Sequence, residues 1–420
     1  MEQRETRMHD NPAADAAGLL LRIGFGLLVL AAPVAAIYSR RAFVVLVPIG
    51  SLLIGLAALI NDAPRLVREV REAVLSPIGA LLTLLLVWLV MSLFWTPFPA
   101  AAAERAFRTL GNVLLALFVA LALPERMRAS NLHLMSIGVA AATLLLALSA
   151  LLGPYTFRAL LNPEAPTFSR AALAVSVMVW PAVAWTYIRH RDWQGLALIA
   201  VSALAIAASG SLEAMITLIT ALLIFLGARL WPILTGNLLS LLFGLTILLA
   251  PLLAFAARWL AGLMGLSSGS FLAEAGLWAD EIALEPIRLL TGHGFDTSHR
   301  ASLAGLVSPT APDGLLQVLW FDLGLPGAAL MALTVTLGFR ALSILPQPLA
   351  PTSMAVLAAC LIFSFLDPTA MQAWWLSVSV VASVMLVAVA NGQYRTARPM
   401  ASLAGSPPVL PGLPRRPAAH

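Results

Sequence analysis

Residues 77–95 read PIGALLTLLLVWLVMSLFW, nineteen positions without one ionisable side chain. At ~1.5 Å of rise per residue such a helix is about 28 Å long, close to the thickness of a bilayer's hydrocarbon core. Pro77 suits the first helical turn, where no backbone N–H is needed, and Thr83 is the only hydroxyl before Ser92. A run of this kind predicts a transmembrane helix.

The pattern recurs on both sides. Apolar runs continue from Ala17 to Ala390 with short polar breaks, predicting spans at 17–37, 42–60, 77–95, 107–123, 132–153 and 171–188. The second half adds 194–208, 212–228, 233–256, 314–340, 353–366 and 372–391, of which 194–208 and 353–366 are short enough to be re-entrant. Composition agrees: 60% of residues are apolar, 11% are charged and mean hydropathy is +0.92, against about 45–50% apolar usage in soluble domains. The expected fold class is therefore all-α, a polytopic helical membrane bundle of about twelve spans. Its expected organisation is a tail at 1–16, spans at 17–256, a long loop at 257–313, spans at 314–391 and a disordered Pro-, Ala- and Arg-rich tail at 392–420. The polar start lacks a signal peptide's charge-then-apolar order, so the first span is expected to be retained.

All 25 basic residues are arginine. A net charge of +5 would suggest nucleic acid in a soluble protein, but arginines in short loops between spans set membrane orientation instead, and no nucleic-acid partner is expected. With the N-terminus inside, the cytoplasmic loops hold Arg65, Arg68, Arg71, Arg126, Arg128, Arg189, Arg191, Arg229, Arg340, Arg395 and Arg398, which places both termini in the cytoplasm. Arg40 and Arg41 break the rule by falling in the first outer turn. Without lysine there is no Walker P-loop, and HExxH, CxxC and serine-elbow patterns are absent as well. Cys360, the single cysteine, lies in an apolar run and reads as packing, so no disulfide, metal or cofactor is expected.

Residues 257–313 form the one long interruption, and they gather Glu274, Asp280, Glu281, Glu285, Arg288, His293, Asp296, His299, Arg300 and Asp313. Within it, 272–290 has the pattern of an amphipathic helix lying on the membrane, with Leu277, Trp278, Ile282 and Leu284 toward lipid. The turn from Gly292 to Asp296 is backbone-exposed and can aim N–H groups at an anion. Arg170 opens the sixth span and is either a bidentate phosphate ligand or an arginine snorkelling to the interface. Glu213 is either a base, a partner for Arg170 or an ordinary turn acid. Asp367, Gln372, Trp374 and Trp375 introduce the last span, where the two tryptophans read most simply as an aromatic belt.

Taken in order, several motifs resemble the O-antigen ligase and polymerase superfamily, bacterial membrane glycosyltransferases that use undecaprenyl-diphosphate-linked glycans. They are SLFWTP (92–97), FSRAALAVSVMVWP (168–181), SGSLEA (209–214), ARLWP (228–232), Pro286, GHGFDTSHR (292–300), LLQVLWFDLGLPG (315–327) and QAWW (372–375). The resemblance covers most of the chain. It implies a GT-C-like helical fold in the bacterial inner membrane, with the active site where the long periplasmic loop meets the outer membrane face. It also implies an undecaprenyl-diphosphate-linked glycan donor, a lipid or glycan acceptor and surrounding membrane lipids as partners. Arg170 matches the family arginine at the start of its span, and Asp296 and Ser298 match part of the loop motif. Where the family has His-Pro-His-Asn this chain has Thr310, Ala311, Pro312 and Asp313, so the proton-transfer role falls to His299, His293 or Asp313. Arg170, Arg300, Arg288, Glu213, Asp296 and Gln372 are the expected substrate-binding residues, and no metal is implied. Two rival readings are a polysaccharide or lipid-linked oligosaccharide transporter and a non-catalytic family member.

Overall fold

The computed structural model describes residues 12–152, 168–266, 271–301, 314–366 and 372–392. The first half of the chain forms α1 (Pro12–Tyr38), α2 (Arg40–Leu75), α3 (Pro77–Phe94), α4 (Pro99–Ala122), α5 (Ala129–Leu151), α6 (Ser169–Ile188), α7 (Asp192–Ser209) and α8 (Leu212–Leu230). The second half forms α9 (Pro232–Leu248), α10 (Ala250–Met264), α11 (Phe271–Leu284), α12 (Arg288–Thr291), α13 (Thr297–Ala301), α14 (Leu315–Ser343), α15 (Leu349–Leu366) and α16 (Ala373–Ala390). Among the described residues there is no strand, only an isolated bridge between Met127 and Gly392.

Ten of these helices are long and apolar enough to cross a membrane, or eleven if the bent pair α9 and α10 counts as one span. The span expected at 353–366 is the short apolar helix α15, outside those ten. In α6, the axis of the bundle, 94% of the apolar window is buried, against 17% in α3 and α4 at the periphery. Trp180 and Trp185 of α6 pack with Phe25, Phe225 and Trp375 in one core. A second core joins α9, α14 and α15 around Phe243 and Phe339, whose rings stack at 5.2 Å. Leu52, Leu84, Leu204, Leu223 and Leu241 are exposed on five different helices, the arrangement expected where hydrocarbon rather than water surrounds the bundle.

Two helix breaks follow from proline chemistry. The stretch expected as one span at 233–256 bends by 76° between α9 and α10. An unbroken helix would pair the Ile247 carbonyl with the N–H of residue 251, but Pro251 has none, and its ring crowds that carbonyl. The Trp320 indole Nε1 donates to the Ile247 oxygen instead, at 2.7 Å. In α14 the break lies at Gly324 (φ 63°, ψ −160°), two residues before Pro326. It frees three successive carbonyls, and each finds another donor. Phe321 O accepts from His293 N at 2.7 Å, Asp322 O from Gly294 N at 3.0 Å, and Leu323 O from Trp88 Nε1 at 2.8 Å. The broken helix is thus the dock for the 292–294 turn.

Helix α11 corrects one expectation. Trp278 and Ile282 belong to the second core and Leu277 is half-buried, so of the four residues expected toward lipid only Leu284 is exposed. The reason is the bend at Leu249, which gives α11 a protein surface to pack on: Gly276 lies against Arg258 of α10, and Arg258 pairs with Asp280. The long interruption at 257–313 is correspondingly helical over much of its described length. At the opposite end of the bundle, Arg65 of α2 pairs with Glu69 and Glu125 and donates to Leu123 O. Met127 N donates to Asn391 O at 2.8 Å, closing α5 against the end of α16.

Candidate functional site

The 292–300 segment is folded onto two other motifs, at 92–97 and 315–327. Gly292 (φ 72°, ψ 177°) faces the α14 break, and a Cβ there would overlap the Asp322 carbonyl oxygen. Phe295 N donates to Ser92 Oγ at 3.2 Å, and the Thr96 and Thr297 hydroxyls share a hydrogen bond at 3.2 Å. SLFWTP, GHGFDTSHR and LLQVLWFDLGLPG therefore meet at one end of the bundle.

Asp296 follows with φ 66°, a left-handed conformation that aspartate tolerates better than most residues. Its carboxylate is 1% exposed and bridges two guanidinium groups: Arg105 Nη1 donates to Oδ1 at 2.6 Å and Arg300 Nε to Oδ2 at 2.9 Å. A buried carboxylate persists only when its lone pairs are met by such donors. Among the described residues, the other N–H groups of both arginines make no hydrogen bond.

These side chains open into a cavity of about 520 Å³ lined by Arg40, Glu104, Arg105, Arg108, Asp296, His299, Arg300 and Gln372, with Thr109 and Asn112 further along α4. Among the described residues, four arginines face two carboxylates there, leaving two positive charges in excess. Arg108 pairs with Glu104 and is the more exposed of the α4 arginines. Helix α4 supplies this wall because residues 101, 105, 108 and 112 fall on one face at the 3.6-residue period.

The expected site residues divide into groups. Asp296, His299, Arg300 and Gln372 converge on the cavity. Arg170 does not line it; its Cζ lies 5.8 Å from the centre of the Trp374 ring, two residues after Gln372. His293 and Arg288 turn to a separate small cleft with Glu285, Trp278 and Phe321. Glu213, at the start of α8, accepts the Ser211 hydroxyl at 3.3 Å and does not line the cavity. Asp313, with Thr310 to Pro312 and Asp367, lies outside the described residues.

The sequence analysis missed Arg40, Arg105, Arg108 and Asp322. Arg40 carried a signal, since it was the exception to the orientation rule. On the expected orientation Arg40 stands where loop charge statistics disfavour an arginine, and its place in the cavity lining gives it another reason to be there.

His293 stacks on Phe321 at 4.0 Å between ring centres and contacts the Phe321 carbonyl through Nδ1 at 3.1 Å. Burial holds its pKa below the ordinary 6.5, with Arg288 adding to the effect against the opposing pull of the Phe321 carbonyl and Glu285. A base whose folded pKa is depressed destabilises the fold on acidification, because the unfolded chain takes the proton first. Between pH 6.5 and the lower folded value the 292–294 turn is expected to loosen, with no change above that window. Protease or hydrogen-exchange protection of this segment from pH 8 to pH 5 tests it, and His293→Gln is expected to flatten the profile. A wild-type profile already flat would show that His293 does not set the turn's stability.

No family model matches the chain, and no curated protein matches it significantly.

Proposed function

We propose that the chain handles a glycan linked to a lipid diphosphate, as a ligase- or polymerase-type glycosyltransferase working at the loop end of the bundle. The observation that carries this reading is the cavity with four arginines at the end of a bundle of membrane-spanning length. A diphosphate diester has one negative charge on each phosphoryl group, which matches the excess of two positive charges. The undecaprenyl-diphosphate donor implied by the motif resemblance fits that description.

In the proposed reaction an acceptor hydroxyl oxygen attacks the anomeric carbon while the bond from that carbon to the diphosphate oxygen breaks. The hydroxyl proton passes to a base. Of the histidines considered from the sequence, His299 lines the cavity and His293 does not, which favours His299 for this role. The departing diphosphate keeps the bonding electrons, and Arg40, Arg105, Arg108 and Arg300 neutralise it. Gln372 offers an amide for a sugar hydroxyl. On the arginine-distribution reading, this end faces the periplasm.

Arg108→Gln tests the assignment with little disturbance to the segment at 296–300, because Arg108 pairs with Glu104 on its own helix. Donor binding and transfer by protein in lipid nanodiscs are expected to fall about tenfold, the scale of one charge-assisted hydrogen bond. Arg258→Gln removes an equally ordinary ion pair away from the cavity and is expected to change neither. Wild-type donor binding in the Arg108→Gln protein would refute the reading.

A further inference from the structure

Asp322 is 1% exposed within α14 and does not line the cavity. Its carboxylate nevertheless accepts three hydrogen bonds from the segment that does: Ser298 N at 2.7 Å on Oδ1, and Asp296 N at 3.0 Å and Ser298 Oγ at 3.1 Å on Oδ2. A carboxyl group in a membrane-spanning helix is costly, and packing alone would be served by an apolar residue. The break in α14 does not need it either, since the freed carbonyls are met by the backbone of His293 and Gly294 and by the Trp88 indole. Those contacts hold 292–294. What the Asp322 side chain holds is 296–298, the step from which Asp296, His299 and Arg300 reach the cavity.

We infer that Asp322 is a positioning residue for the arginine cavity, fixing the 296–300 segment so that Asp296 meets Arg105 and Arg300 and the His299 and Arg300 side chains face the ligand. The inference rests on the cavity being an anion site. Without the Asp322 contacts, the segment keeps Phe295 to Ser92, the Thr96–Thr297 hydroxyl pair and the bond from Thr297 Oγ1 to His293 O. All three attach at or before Thr297, as does Thr297 N to Gly294 O, so 298–300 is left with the Arg300–Asp296 pair and the buried Ala301 and gains mobility. Arg300 would then leave Asp296, and Arg105 would lose the geometry that aims its remaining N–H groups.

The test has two readouts on purified protein in nanodiscs. One is the mobility of a spin label at His299→Cys in a Cys360→Ser background, without ligand. The other is the affinity of unlabelled protein for inorganic pyrophosphate. Asp322→Asn presents an N–H where an acceptor is required. It is expected to free the label and weaken pyrophosphate about ten- to a hundredfold, with the thermal midpoint of the bundle kept. Ser298→Ala keeps the carboxylate and removes one donor, with about a threefold loss expected, and it decides the matter should Asp322→Asn unfold. Unchanged label mobility in both variants overturns the inference, and so does a loss of affinity without a gain in mobility. If wild-type protein binds no pyrophosphate while Asp322→Asn still frees the label, the positioning stands and the anion-site reading falls.

Discussion

Asp296→Ala is expected to weaken binding of a lipid diphosphate and to destabilise the 292–300 segment by about 3 kcal/mol. That is the low end of the range for removing one partner of a buried ion pair, since Arg105 and Arg300 keep 27% and 39% side-chain exposure and can rehydrate in part. The sign for binding is the informative part. Coulomb's law alone makes the cavity a better anion site when a negative charge is deleted. If Asp296 acts by orienting two guanidinium groups, deletion weakens binding despite the added positive charge, because the arginines lose the geometry for bidentate contact. Asp296→Asn separates the contributions. It keeps a residue tolerant of φ 66° and one oxygen for one arginine, so it is expected to lie between wild type and alanine in both stability and affinity. Pyrophosphate affinity and segment protection, measured on the three proteins, give the comparison. Tighter binding in the alanine variant would show that the cavity collects anions by charge alone.

The spans were legible because hydrocarbon imposes one requirement over about eighteen or more residues, and the runs at 77–95 and 171–188 meet it wherever they are read. The breaks were legible in part: Pro251 and Pro326 are in the sequence, but a proline in an apolar run announces a lost hydrogen bond and not its replacement partner. The partners, Trp320 for Ile247 and the 292–294 backbone for Phe321 and Asp322, come from residues 28 to 73 positions away. The cavity lining was legible where one loop supplied it, at Asp296, His299 and Arg300. It was missed where helix ends supplied it, because the arginines of α2 and α4 are brought together by packing and not by spacing along the chain. His293 shows the converse. Three positions from Asp296 in the same turn, it is held away from the cavity by its stacking on Phe321.

The meeting of Gly292 and Gly324 sets the second large effect. Gly292 at φ 72°, ψ 177° and Gly324 at φ 63°, ψ −160° both occupy a region open essentially to glycine alone, where another residue is strained by about 1–3 kcal/mol. Sterics add to this. A Cβ on Gly324 would lie 2.6 Å from Gly292 N, and one on Gly292 would lie 2.8 Å from Gly324 N besides overlapping the Asp322 carbonyl. All these obstacles are backbone atoms, which cannot rotate away. Gly292→Ala is therefore expected to cost at least about 3 kcal/mol and to lift the 292–294 turn from α14, exposing the segment to protease and removing pyrophosphate binding. Gly324→Ala is expected to do the same from the other side. The double variant is expected to cost clearly less than both singles together, since a turn already lifted no longer meets the second methyl group. Gly262→Ala is the control: that glycine lies within α10, and its Cβ would meet nothing within 4 Å, so alanine there is expected to leave protection unchanged. Additive costs in the double variant would mean that the two glycines are strained independently, and that docking of the turn on the broken helix does not hold the site together.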